Sequence, residues 1–224
     1  LYAVNVSSGA LRWTFAAGGA LWARPVADSE RLYFGSMNHV LYALDAATGQ
    51  KVWETQLGGA MAASPALADG VLVVGTFDKK LTAVDAQSGQ IKWSVATVDW
   101  VWSSPAIADG VLYAGDLQGN VYAFNAADGS QRWRIQPEAG IAVRGTPALL
   151  EGVLYFGSRS GKLYAVQADD GAPLWVQTVG GQVIGDILIA GDKVLVAPVG
   201  APKLLYAYNP TSGAEVWSYV PTQK

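Results

Sequence analysis

One phrase recurs six times in the sequence at an almost constant spacing. It begins with Leu or Val, passes through a glycine and ends with a tryptophan, always at the same offsets, as in Leu41, Gly49 and Trp53. The six tryptophans follow one another at nearly even intervals, and they are Trp13, Trp53, Trp93, Trp133, Trp175 and Trp217. A repeat of this length predicts that copies of one small supersecondary unit stack on each other.

A second phrase lies between the tryptophans and recurs five times. In its clearest copy a proline, Pro105, is followed by Val-Leu-Tyr-Ala-Gly at residues 111–115. The other copies begin at Pro25, Pro65, Pro147 and, in a degenerate form, Ile187. Since six copies of the first phrase accompany five copies of the second, we predict five complete repeats and one half repeat at residues 1 to about 15.

Each repeat consists of apolar segments of four to seven residues separated by Asp-Gly, Ser-Gly and Thr-Gly turns. This pattern is typical of short antiparallel strands, and no stretch has the helical period. We predict four strands per repeat, named A to D, with the tryptophan in D. Such a sheet, apolar on both faces, is stable only between stacked neighbours, so the predicted fold is an all-β propeller of four-stranded blades.

The prediction treats residues 1–224 as one propeller domain. Its half blade covers residues 1–15, and its complete blades cover about 20–55, 60–95, 100–135, 142–177 and 182–220.

Composition excludes several kinds of function. The chain has no cysteine, which excludes disulfide scaffolds, thiol catalysis and cysteine-ligated metals. Fifteen basic against 18 acidic side chains give a net charge of −3 without a basic patch, so no nucleic-acid partner is expected. No apolar run reaches the roughly 20 residues of a membrane span, so this segment is not expected to insert into a membrane.

The repeat resembles one propeller family in particular. Leu-Tyr-Ala-Leu-Asp-Ala-Ala-Thr-Gly-Gln-Lys-Val-Trp at residues 41–53, its copy at 81–93, and Ser-Pro-Ala-Ile-Ala-Asp-Gly-Val-Leu-Tyr at 104–113 resemble the tryptophan-docking repeats of the PQQ-like propellers. No repeat tryptophan is followed by aspartate, unlike the WD40 pattern. The resemblance implies a piece of a seven- or eight-bladed parent located in the periplasm, outside the cell or at its surface.

The family resemblance implies two functional branches. One contains quinone-dependent dehydrogenases, which hold the quinone PQQ between a tryptophan and a vicinal disulfide and bind calcium with Glu, Asn and Asp. The other contains non-enzymatic scaffolds of outer-membrane barrel assembly and sensor ectodomains. Within the first branch, Trp100 or Trp102 would be the stacking ring and Asp186 the base. Because cysteine is absent and acidic ligands are few, we predict the non-enzymatic branch without cofactor, with a dehydrogenase fragment as the alternative.

The residues common to all repeats are expected to be structural. Each of the six tryptophans would wedge between neighbouring blades, and the glycine four residues before it would form the C-to-D turn. The Asp or Asn at the start of that turn is expected to cap it with its side chain. These residues are Asn5, Asp45, Asp85, Asn125 and Asn209. A residue required by every blade cannot define a single site.

The candidate site consists of residues that differ between repeats, in the connections from strand D of one blade to strand A of the next. Three tryptophans remain beyond the six in the repeat, and all lie in these connections with charged residues nearby. The predicted partner-binding set is Trp22, Arg24, Asp99, Trp100, Trp102, Arg144 and Asp186. A protein partner is expected, in the form of an extended peptide or strand edge with an acidic residue. The alternative is that Trp22 and Trp102 are buried plugs.

Catalytic and metal-binding motifs give no candidate. His39 is the one histidine and lies in a turn, so no Ser-His-Asp set can form. Gly-Ser-Arg-Ser-Gly-Lys at 157–162 lacks the Ser or Thr and the helix of a phosphate-binding loop. The connection at 134–146 is two residues longer than the three before it and carries Glu138, which indicates either a functional loop or ordinary drift.

Overall fold

The computed structural model of the chain describes residues 1–221. These residues form 22 strands, arranged as five four-stranded antiparallel sheets and one two-stranded sheet. The predicted β-propeller blades, five complete and one half, are confirmed. Within residues 1–221 no helix is long and apolar enough to cross a membrane.

The chain divides into two compact units, of which the first covers Leu1–Trp100. It contains the half blade and two complete blades with strand order A-B-C-D. The half blade is β1 (Tyr2–Val4) and β2 (Leu11–Thr14); the next blade is β3 (Val26–Ala27), β4 (Arg31–Gly35), β5 (Val40–Asp45) and β6 (Lys51–Gln56); the third sheet is β7 (Ala66–Ala68), β8 (Val71–Thr76), β9 (Lys80–Asp85) and β10 (Ile91–Ala96).

The second unit begins at Val101 and contains three complete blades with the same strand order. Its strands are β11 (Ala106–Ala108), β12 (Val111–Gly115), β13 (Val121–Asn125) and β14 (Gln131–Ile135); β15 (Ala148–Leu150), β16 (Val153–Gly157), β17 (Lys162–Gln167) and β18 (Pro173–Thr178); and β19 (Leu188–Ala190), β20 (Lys193–Val196), β21 (Leu205–Tyr208) and β22 (Glu215–Tyr219).

The core lies in strands B and C of the blades, because these strands are covered on both faces. Every residue of β12 is buried, as are four of the five residues of β13. Strand D is mostly exposed; in β6, β10 and β18 the pattern alternates between exposed and partly buried residues. A strand buried on both faces needs an unbroken apolar run, as in strands B and C, whereas a strand buried on one face alternates apolar and polar residues, as in strand D.

Strand D has the same irregularity in every blade. Its tryptophan pairs with the alanine of strand C, as in Ala43 with Trp53 and Ala123 with Trp133, and the register shifts directly beside that pair. A shift of this kind inserts one extra residue and increases the local twist. The recurring Leu-to-Trp phrase contains this alanine, the bulge and the tryptophan. Its constant length keeps the three in the same register in each blade.

The repeat tryptophans reach into the next blade. The indole N–H of Trp13 donates to the carbonyl of Ala46 at 3.2 Å, and that of Trp53 donates to the carbonyl of Ala86 at 3.0 Å. In the second unit Trp133 and Trp175 donate in the same way to Ala168 at 2.9 Å and Pro210 at 2.8 Å.

The turn glycine has a second role that the sequence interpretation missed. Gly213 has a φ of +69°, and a Cβ placed on it would lie 2.6 Å from Cδ2 of Trp175. Gly49 has the same relation to Trp13, at 2.5 Å. The glycine therefore provides both the left-handed turn and a flat surface on which the preceding blade's indole lies.

The side-chain caps of the C-to-D turns are present in four of the five predicted positions. Asp45, for example, accepts hydrogen bonds from the backbone N–H groups of Ala47 and Thr48. Asn5, Asp85 and Asn209 accept equivalent backbone bonds.

The prediction for Asn125 is wrong. Its side chain instead bonds to Ser130 and Arg132, while Asp128 accepts the backbone bond in this turn. Thr48 at the equivalent position donates its hydroxyl to Asp45. An ionised aspartate has no proton to donate, so Asn125 turns to other partners.

Candidate functional site

Three of the D-to-A connections are anchored on the glycine that ends strand B of the preceding blade. A Cβ on Gly115 would overlap the side chain of Val143, and one on Gly35 would lie 2.6 Å from Cβ of Met61. The residue after the glycine accepts a backbone bond from the same connection, as Asp116 does from Val143 at 3.0 Å. The neighbours of these anchored residues, including Arg144, are therefore held in defined positions.

The structure brings together two residues of the predicted site, Trp102 and Arg144. The guanidinium carbon of Arg144 lies 4.1 Å from the centre of the Trp102 ring, which is a cation–π contact. Both side chains are partly exposed. Arg144 also lines the cavity described next, so the contact with the Trp102 ring helps to position its guanidinium there.

A cavity of about 460 Å³ adjoins this pair. Its lining contains a second arginine, Arg159, and the hydroxyl-bearing Ser160, but no carboxylate. Within residues 1–221 neither Arg144 nor Arg159 takes part in an ion pair. The remaining lining residues are Leu117, Gly140, Ile141 and Ala142. The cavity therefore combines an aromatic wall with two positive charges.

The longer connection forms one wall of the cavity and is held by Glu138. The carboxylate of Glu138 accepts hydrogen bonds from Lys162 Nζ at 2.6 Å, Ser160 Oγ at 2.6 Å and Ser158 Oγ at 3.0 Å. Burial alone would raise the pKa of Glu138, but the bonds from Lys162 and the serines outweigh it and lower this pKa to about 2. The Glu138 carboxylate is thus bonded within the wall and, among residues 1–221, forms its ion pair with Lys162 and not with Arg144 or Arg159.

A backbone bond joins the two walls. The N–H of Arg159, in the B-to-C turn of its blade, donates to the carbonyl of Ala142 in the connection at 2.9 Å. Sequence reasoning missed Arg159 and Ser160 and left the role of Glu138 open, although the Gly-Ser-Arg-Ser-Gly-Lys segment and the two-residue insertion both marked this place. The sequence does not show that the turn with Arg159 contacts the connection with Ala142, because strands β15 and β16 separate the two segments along the chain.

The predicted residues of the first unit are arranged differently. Trp100 is 41% exposed and stacks on Phe77 at 4.9 Å between ring centres. Asp99 forms an ion pair with Lys79 at 3.3 Å. These two contacts hold the end of the connection against a neighbouring turn.

Trp22 and Arg24 are both exposed, Trp22 by 61%. The backbone N–H of Arg24 donates to Ser64 Oγ at 3.1 Å. Trp22 is exposed and Trp102 is partly exposed, so neither side chain is fully buried as the alternative of buried plugs requires. The role of these side chains remains a prediction.

Asp186 lies outside the cavity lining. Its carboxylate accepts the backbone N–H of Thr146 at 2.9 Å and the Thr146 hydroxyl at 2.5 Å. These bonds connect two successive D-to-A connections. His39 is exposed in a turn with a φ of +70°. In the part of the chain that the structure describes, no group of three or more His, Asp or Glu side chains is arranged to hold a metal ion.

Comparison of the sequence with known protein families identifies the family of this chain. The family described as "Outer membrane protein assembly factor BamB" matches residues 1–139 and, in a second match, residues 117–224. The chain belongs to this family. No curated protein matches its sequence.

Solved structures share the fold at low sequence identity. BamB from Moraxella catarrhalis is 22% identical with a TM-score of 0.81, over 94% of this chain and 65% of that chain. The quinohemoprotein alcohol dehydrogenase ADHIIG of Pseudomonas putida HK5 is 20% identical with a TM-score of 0.77, over 93% of this chain and 43% of that chain. A europium-containing methanol dehydrogenase is 13% identical with a TM-score of 0.81, over 93% of this chain and 52% of that chain. The chain therefore spans less than two thirds of each of these proteins.

Proposed function

We propose that this propeller binds a protein partner in the cell envelope or at the cell surface and does not catalyse a reaction. The observation that carries the proposal is the cavity of Trp102, Arg144 and Arg159, whose lining contains two arginines and no carboxylate. Membership in the BamB family supports a protein partner and an envelope location.

The cavity favours an extended segment with an acidic residue. A carboxylate can take paired hydrogen bonds from a guanidinium, and such charge-assisted bonds are stronger than neutral ones. The Trp102 ring adds apolar contact next to them, and tryptophan and arginine are the residues most enriched at interface hot spots. An apolar side chain beside the acid would therefore complete the match.

The test uses a fluorescein-labelled peptide of alternating Val and Thr with a central Glu-Trp pair, measured by fluorescence anisotropy. We expect saturable binding, a loss of at least tenfold in affinity for Arg144→Ala and for Arg159→Ala, and a similar loss when Gln replaces the peptide's Glu. Arg134→Ala is the control, since Arg134 is exposed on β14 and does not line the cavity. Equal affinity of wild type and both cavity variants contradicts the proposal.

The dehydrogenase alternative is tested separately. The chain has no cysteine for a vicinal disulfide, and its described residues contain no cluster of three carboxylate or imidazole ligands for calcium. A ligand that binds only the folded state raises the unfolding temperature, by an amount that grows with its concentration. A saturable rise on titration with PQQ and calcium would favour the dehydrogenase alternative and overturn the non-enzymatic proposal.

A further inference from the structure

One outer strand differs from the outer strands of the other four complete blades. Strand D forms the free edge of each blade, and edges of this kind are normally protected against pairing by charged side chains. Four of the five carry at least one charge: β6 has Lys51 and Glu54, β10 has Lys92, β14 has Arg132 and Arg134, and β22 has Glu215. The six residues of β18, Pro-Leu-Trp-Val-Gln-Thr, carry none, and Pro173 at the first position is the one residue of β18 that discourages pairing, which leaves residues 174–178 as the part open to an added strand.

The outward side chains of β18 are large and apolar. Leu174 is 45% exposed and Val176 is 51% exposed. The equivalent of Val176 is Glu54 in β6 and Arg134 in β14. The side chain of Trp175 lies on the opposite face, where its indole bonds to Pro210 and fixes the strand.

A groove of about 530 Å³ lies beside these side chains. Tyr164, which pairs with Val176 across β17 and β18, lines the groove together with Leu174 and Val176. Ile135 and Pro137, at the end of β14, form its other side. A strand added to β18 would place alternate side chains next to Leu174 and Val176, in reach of this groove.

The negative charge at the N-terminal end of β18 favours some added strands over others. Asp169 and Asp170 lie in the turn that precedes the strand, and both are exposed. Among residues 1–221 neither of them takes part in an ion pair. An added strand with basic side chains at this end would therefore be favoured over an acidic or neutral one.

We propose that β18 is an edge for strand addition. The partner is an extended segment of alternating apolar and polar residues that pairs antiparallel with β18, with basic residues at its C-terminal end, beside Asp169 and Asp170. Backbone hydrogen bonds supply the affinity and the apolar groove selects alternate side chains. This edge shares no lining residue with the cavity of Trp102 and Arg144, so either site can fail without the other.

The test measures binding of a fluorescein-labelled peptide, Thr-Val-Thr-Val-Thr-Val-Lys-Lys, to the full chain by anisotropy. Val176→Glu gives β18 the charge that β6 has at Glu54, so the fold should tolerate it, and we expect at least tenfold weaker binding. Val52→Glu is the control, because Val52 is 45% exposed on an outer strand that already carries charges. The double variant Asp169→Asn/Asp170→Asn should lose about threefold or more for this peptide and remove its advantage over a Glu-Glu version.

Three results would overturn the proposal. The first is no saturable binding by a wild-type chain that shows its normal unfolding transition. The second is equal binding by wild type and Val176→Glu. The third is a wild-type dimer in sedimentation that Val176→Glu dissociates, because the occupant of the edge would then be a second copy of the chain.

Discussion

Replacing Gly213 with alanine tests how the tryptophans connect the blades. Two costs are expected, and the structure separates them. A left-handed conformation costs an L-residue about 1–2 kcal/mol, and Gly213 has a φ of +69°. In addition, the new Cβ would lie 2.6 Å from Cδ2 of the Trp175 ring, and overpacking of this kind costs about 1–3 kcal/mol.

The sum predicts a loss of about 2–5 kcal/mol in the free energy of unfolding for Gly213→Ala. Gly152→Ala is the matched control in the same unit, because Gly152 has a φ of +75° but no atom within 4 Å of its Cβ position. That control should lose only the conformational cost of about 1–2 kcal/mol. The difference between the two variants therefore measures the contact with the indole.

The assay is urea unfolding followed by tryptophan fluorescence, with the slope of the transition compared between variants. A second readout is the same substitution in a Trp175→Ala background, where the extra cost of Gly213→Ala should disappear. If Gly213→Ala and Gly152→Ala lose equal stability, or if the extra cost persists without Trp175, the docking interpretation of the turn glycine is wrong.

Further predictions concern Trp133, Glu138 and Arg31. Trp133→Ala should lose about 3–5 kcal/mol in urea unfolding, since its indole is nearly buried and bonded to the next blade, whereas exposed Trp22→Ala should change stability by less than about 0.5 kcal/mol. The pKa of Glu138 is lowered to about 2, so the ionised carboxylate stabilises the fold fully above its ordinary pKa of 4.5, and this stabilisation is lost as the pH falls through 2. The difference in unfolding free energy between wild type and Glu138→Gln should therefore be constant from pH 8 to about 5.5 and shrink at lower pH. Arg31→Met should lose about 1–2 kcal/mol in urea unfolding, because it removes the two hydrogen bonds that one guanidinium nitrogen donates to the carbonyls of Ala86 and Gln87.

Much of the fold follows from the sequence because it repeats. Period, strand order and the incomplete first blade depend on local patterns that occur five or six times, so chance irregularities in one copy are outweighed by the others. The Asn125 turn shows where this reasoning ends. A single change in the same turn, a hydroxyl replaced by Asp128, redirects the side chain that the repeat had predicted to cap it.

The candidate site could be predicted only in part, because it depends on contacts between segments that are distant in sequence. Trp102 and Arg144 stood out since they break the repeat, and the structure places them in contact. Arg159 stands out less, because its turn is a variable position in every blade, and only the bond from its N–H to Ala142 shows that it belongs with the connection. Asp186 has the charge expected of a site residue, but its carboxylate is used by Thr146.

The tryptophan contacts give the chain a direction. Trp13, Trp53, Trp133 and Trp175 each leave strand D of their own sheet and end on the turn of the sheet that follows. A lesion in one C-to-D turn should therefore loosen the last strand of the preceding blade before it affects the last strand of its own. Amide hydrogen exchange on a variant such as Gly213→Ala would then report faster opening upstream, in β18, than in β22. In these units, disturbance would travel from the C-terminal side toward the N-terminal side.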